Sequence, residues 1–198
     1  MLSLDHLVIF LHGIGASGAQ LMPLASSWRD GLPSTRFAAP DAPMHHWRGH
    51  QWFSTEGNPL DPAKVMAARE AFDELIDDVV RREGFADAHD RVAFVGVSQG
   101  AVVALDAVAS GRWKVGAVVS FAGLLPPQKI SSVSRQTPIL MVHGQADTTI
   151  PYAASTLAAA QFRAAGFDVE LDVEPGVGHT ISSAGAAKAL SFLRKSLS

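Results

Sequence analysis

The chain has 198 residues, 47% hydrophobic and 18% charged, with a formal net charge of −3 at pH 7. That balance belongs to a folded globular chain and gives no basic footprint for nucleic acid. There is no cysteine, which removes disulfides, thiolate nucleophiles and cysteine metal sites and fits a cytoplasmic protein.

The apolar run at residues 7–11 follows Asp5, where a secretory leader would carry Lys or Arg. No stretch is apolar enough over about 18 residues to insert stably in a membrane. Neither a repeat nor a shift of composition divides the chain, so residues 1–198 read as a single domain.

Strand-like and helix-like segments alternate, which predicts an α/β fold of three layers around a mainly parallel sheet. Residues 7–11 are continuously apolar, as in a strand covered on both faces. A weaker strand is expected at 36–39. Asp61-Pro62 marks a helix start, and Val65, Ala68, Phe72, Leu75, Ile76 and Val79 follow at helical spacing until Gly84. The charges from Asp77 to Glu83 read as its solvated end. Buried strands are expected at 92–97, 115–121 and 139–143, and an apolar helix at 99–110. Val169, Leu171 and Val173 alternate with acidic residues, the pattern of an edge strand. Helices at 153–165 and 184–196 complete a sheet of about six strands. Residues 44–60 show no period but hold Trp47, Trp52 and Phe53. Aromatic-rich irregular stretches of this length usually serve a site.

Gly96-Val97-Ser98-Gln99-Gly100 matches G-x-S-x-G between a strand and a helix. Small flanking residues let strand and helix approach, and the turn lifts the Ser98 hydroxyl to a helix N-terminus. Without the flanking elements the motif would be weak, and a structural Gly-Ser turn is the alternative. Acyl transfer also needs N–H donors for the oxyanion. Gln99 follows the serine and supplies one. Ile14 supplies the other, because Gly13 and Gly15 allow its backbone to turn inward. No Lys-Ser or Lys-Thr pair follows this loop, so it is not a Walker phosphate loop. His12 reads as a structural histidine.

A serine nucleophile needs a histidine base and a carboxylate to orient it, in the order serine, acid, histidine on this fold. Two histidines follow Ser98, and His143 precedes the acid candidate. His179, in a loop after the last strand, has the right order. Asp147 lies directly beyond a buried strand, whereas Asp106 is inside a helix and Asp168 to Glu174 lie along an edge strand. A turn aspartate and a surface histidine are the plainer readings of Asp147 and His179. The ordered arrival of all three residues at strand ends outweighs both.

These segments resemble the phospholipase/carboxylesterase family of α/β-hydrolases, which includes acyl-protein thioesterases. The resemblance rests on His12-Gly13, Pro40-Asp41-Ala42-Pro43, Trp52-Phe53, Gly96 to Gly100, Phe121 to Pro126, His143 to Asp147 with Ile150-Pro151, and Gly178-His179. It differs at Val97, Ala101, Asp41 and Ser54. The resemblance implies Ser98, Asp147 and His179 as a triad and the Ile14 and Gln99 amides as the oxyanion hole. It also implies no cofactor or metal, a small-molecule ester or thioester substrate, and often a homodimer. The antiparallel hairpin that opens the longer fold is expected to be missing before Leu7. Trp47, Trp52, Phe53 and Leu60, with Met44, are the expected wall of a pocket for short to medium acyl chains. Alternatives are another serine hydrolase on this fold, such as a peptidase or lysophospholipase, and a non-catalytic binding protein. A peptidase would need a charged anchor for peptide ends, and a binding protein usually lacks a triad member.

Overall fold

The computed structural model describes residues 5–58, 61–131 and 137–197. Strand β1 (His6–Leu11) takes the first apolar run, and β2 (Thr35–Ala38) the weaker one. Two three-residue strands, β3 (Met44–His46) and β4 (Gly49–Gln51), form an antiparallel hairpin. Next come β5 (Val92–Val97), β6 (Ala117–Phe121), β7 (Ile139–Gly144) and β8 (Val169–Glu174). Six of these form one sheet in the order β2-β1-β5-β6-β7-β8, and each pairing in it is parallel.

Alternation along β1 explains its unbroken apolar run. Leu7, Ile9 and Leu11 face a core packed with α3 (Arg69–Arg82), α4 (Gln99–Ala109) and α5 (Ala153–Ala164). Val8 and Phe10 face the other core, under α1 (Met22–Trp28) and α6 (Ser183–Ser196). Helix α4 is buried along its whole length, so its lack of a polar stripe follows from its place between sheet and helices.

The helix expected from Asp61 to Gly84 is two helices, α2 (Pro62–Ala67) and α3, meeting at Ala68. Asp61 does cap α2, accepting from the Ala63 N–H at 3.0 Å. The strand expected from Val115 starts at Ala117, and the Gly116 N–H to Val92 O bond is the first rung of its pairing with β5. Residues 44–60 are not irregular throughout, since they begin with the β3–β4 hairpin. Three residues give too few alternations to register as a strand.

Connections from β1 run outward to β2, whereas β5 to β8 build the other way. The change of direction lies between β1 and β5, where Leu11 pairs with Gly96. In open parallel sheets, sites form beyond the carboxyl ends of strands at this point.

Candidate active site

Ser98 stands between β5 and α4 with φ 53° and ψ −118°, a left-handed conformation rare for a side-chain residue. The turn is possible because of its neighbours. A Cβ on Gly96 would lie 2.5 Å from Ala101 Cα, and one on Gly100 only 2.0 Å from Leu11 O. Backbone therefore packs on backbone here, and the Ser98 N–H is fixed to Phe121 O at 2.9 Å.

The loop after β8 brings His179 to this turn. Its Nε2 is 2.9 Å from Ser98 Oγ, and its Nδ1 is 2.7 Å from Asp147 Oδ2. Asp147 follows β7 and has no exposed side-chain surface, while His179 is partly open to solvent. The Asp147 Oδ1 accepts from the Thr149 and Ile150 amides at 2.8 and 2.9 Å. Burial opposes the charge on Asp147. The hydrogen bonds from His179, Ile150 and Thr149 outweigh it and hold the carboxyl below its ordinary range. An ionised carboxylate so placed makes Nδ1 the protonated nitrogen and leaves Nε2 free to accept from the serine hydroxyl.

The loop after β1 lies against this line. A Cβ on Gly13 would touch Ser98 Cβ at 3.4 Å. Among the described residues the Ile14 N–H meets no protein acceptor, and the Gln99 N–H, first in α4, has none within its helix. His12 is buried, accepts from the Ala42 N–H at Nε2 (2.9 Å), and donates from Nδ1 to Gly13 O (2.7 Å). Burial pushes its imidazole below the ordinary histidine value, so it is a neutral strut. Asp41 Oδ1 takes the Gly18 N–H at 2.7 Å, and His50 of β4 exchanges backbone bonds with Gly15 and Ala16. Pro40-Asp41-Ala42-Pro43 and the hairpin thus buttress the loop.

Two clefts meet at Ser98. One, about 280 Å³, is lined by Ile14, Phe53, Val65, Val102, Leu124 and Ile150 among others. The other, about 320 Å³, runs past Gly13, Ala16, Gln20, Leu21 and His179. Of the described residues of the expected pocket wall, only Phe53 lines either cleft. Trp47 is 81% exposed at the hairpin tip, and Met44 is 40% exposed. Trp52 is core: it packs on Phe72, and its indole N–H donates to His12 O at 2.8 Å. Leu60 lies outside the described residues. An aromatic in a loop can face out, in, or toward the site, and alternation alone does not separate these.

The sequence reading missed Val65, Val102, Leu124 and Ile150, which come from four separate segments. It also missed the Gln99 side chain, which accepts from the Trp52 N–H at 2.6 Å and donates to Phe53 O at 2.7 Å. That clamp gives a reason for glutamine after the serine: it fixes the bend that carries Trp52 and Phe53.

The sequence profile for phospholipases and carboxylesterases matches residues 3–197. The chain belongs to this family. A probable carboxylesterase of Oryza sativa subsp. japonica is 31% identical over 193 residues, spanning 88% of this chain and 71% of that one. Acyl-protein thioesterase 1 of Gibberella zeae is 26% identical over 96% of this chain and 90% of its own. The crystal structure of esterase PE8 superposes with a TM-score of 0.86 at 30% identity, covering 98% and 93% of the two chains. This phospholipase/carboxylesterase family member is therefore an α/β-hydrolase of carboxylesterase and acyl-thioesterase type. Among its described residues no helix is long and apolar enough to cross a membrane, and no group of His, Asp and Glu is placed to hold a metal.

Proposed function

We propose that the protein hydrolyses carboxylic esters or thioesters of short to medium acyl chains through an acyl-enzyme on Ser98. The reading is carried by the continuous line from Asp147 Oδ2 through His179 to Ser98 Oγ, opening on an apolar cleft. Ser98 Oγ attacks the acyl carbon as His179 Nε2 takes its proton. The carbonyl oxygen becomes an oxyanion facing the Ile14 and Gln99 amides. The tetrahedral intermediate collapses, and His179 gives its proton to the leaving oxygen or sulfur. Water then attacks the acyl-enzyme, passing a proton to His179, which returns it to Ser98 Oγ as the carboxylic acid leaves. Asp147 stays ionised throughout. The acyl chain lies in the cleft of Phe53, Val65 and Val102, where each buried methylene stabilises the complex by about 0.8 kcal/mol. One catalytic domain spanning residues 1–198, a cytoplasmic setting and a homodimer complete the reading.

A fluorophosphonate probe is expected to label Ser98, and a series of acyl esters and thioesters to be hydrolysed fastest at short or medium chain length. A chain that is neither labelled nor active on any of them is not this enzyme. The two aromatics of residues 52–53 should separate cleanly. Phe53→Ala is expected to change the ratio of long- to short-chain rates by more than about twofold. Trp52→Ala is expected to lower stability by ~3–5 kcal/mol instead, as for other buried large-to-small changes. Equal chain-length profiles for wild type and Phe53→Ala would place the acyl chain in the other cleft.

A further inference from the structure

A second histidine reaches the buried acid. His143, at the end of β7, has no exposed side-chain surface, and its Nε2 lies 3.1 Å from Asp147 Oδ2 and 2.8 Å from Ile150 O. Its Nδ1 is 2.6 Å from Ser155 Oγ, which in turn lies 3.0 Å from Gly123 O. Both neighbours of Nε2 are acceptors, so Nε2 carries a proton. The Ser155 hydroxyl, with one proton to give, stands between Nδ1 and the Gly123 carbonyl. We infer that His143 is a positioning residue: by donating to the Asp147 oxygen that His179 also uses, it sets how strongly Asp147 holds the His179 proton.

The choice of oxygen is what distinguishes this role from filling space. Asp147 Oδ1 is already fixed by the Thr149 and Ile150 amides. Oδ2 is the oxygen facing His179, and His143 points at that one. A second donor on the same oxygen spreads its charge and weakens it as an acceptor for His179. Outer partners of this kind tune the ligand or base they touch. The same ring also braces the acyl side of the site. Ile150, whose carbonyl it holds, lines the apolar cleft, and Gly123 is joined to Leu124, which lines it too.

The titratable side chains hydrogen-bonded in this cluster are Asp147, His143 and His179. From the adjoining strand β8, Glu174 is taken by Ser182 Oγ at 2.6 Å, and Asp172 pairs with Lys188 of α6. From α5 the cluster receives the neutral Ser155 hydroxyl. The inference rests on the triad reading above.

The test compares His143→Phe, His143→Asn and His143→Gln, each checked for folding by thermal melting. The readout is the acid limb of the kcat/KM profile for an activated ester. Without a second donor on Oδ2, Asp147 stabilises protonated His179 more, so the limb moves to higher pH. The expected shift is about half a unit to one unit for His143→Phe. The asparagine amide is too short to reach Oδ2 and should behave the same way. The longer glutamine amide restores a donor and should return the limb toward wild type. If His143→Phe does not fold, the asparagine and glutamine pair still decides. Limbs that stay within about 0.2 unit of wild type, with only stability reduced, overturn the inference. Activity that survives Ser98→Ala would overturn the triad reading and this inference with it. A Ser98-dependent enzyme with an unmoved limb overturns this inference alone.

Discussion

Ser98→Ala is expected to slow turnover of an activated ester by on the order of 10⁴-fold or more while the protein stays folded. The fold is spared because the turn is held by backbone: the Ser98 N–H bonds Phe121 O, and the strained φ of 53° already bears a Cβ. What disappears is the oxygen proposed to form the acyl bond, and the hydroxyl's hydrogen bond is to His179. His179→Ala removes the proposed proton acceptor and is expected to cost about as much. The double variant should be little worse than either, because the pair acts as a unit. Asp147→Asn should act differently. The Thr149 and Ile150 amides select the amide oxygen of the asparagine, which turns its NH₂ toward His179. The ring then carries its proton on Nε2, where it cannot accept from Ser98. The remaining rate should depend on pH as His179 loses its proton. Steady-state rates and thermal melting on purified variants decide the matter. A Ser98→Ala protein that keeps a tenth of the activity has another nucleophile.

The parts of this site legible in the sequence are those fixed by order and by backbone. Ser98, Asp147 and His179 each stand at the end of a run whose apolar pattern marks a strand, and a parallel sheet brings such ends to one edge. Ile14 and Gln99 are proposed on the same ground, as the contribution proposed for each is a backbone N–H. The apolar cleft was not legible, because it is assembled from α2, α4 and the turns after β6 and β7 among others, and its residues share no period. Trp52 shows the limit most clearly. It is adjacent to Phe53, yet it turns inward on Phe72 while Phe53 lines the cleft. Which of the two turns inward depends on the Gln99 side chain gripping both backbones, a contact across 47 residues. The 3-10 turn at Gly18–Leu21 and helix α1 lie outside the elements expected from the sequence. Their signal was present in Ser17 and Gln20, whose side-chain oxygen accepts from the Ser17 N–H, and in Pro23 at the helix start.

Gly100→Ala is expected to be strongly damaging although it leaves every proposed catalytic side chain in place. Its Cβ would sit 2.0 Å from Leu11 O, 2.4 Å from Leu11 C and 2.7 Å from His12 O. These are backbone atoms at the end of β1, so no rotamer change can clear them. Either α4 moves away from the sheet or the loop of His12, Gly13 and Ile14 is pushed outward. Overpacking of this kind typically costs ~1–3 kcal/mol. The loss of activity should be larger than that suggests, because the two structures forced apart each hold one of the proposed oxyanion donors. A misplacement of about 1 Å in such a site can cost on the order of 100-fold in rate. Gly84→Ala is the control: its φ of +84° makes alanine strained, but nothing lies within 4 Å of the added Cβ. It should lose stability through the backbone alone and keep its rate. The pair therefore separates strain from displacement. If Gly100→Ala folds and retains activity within about threefold of wild type, the contact between β1 and the serine turn does not set the distance between the Ile14 and Gln99 amides.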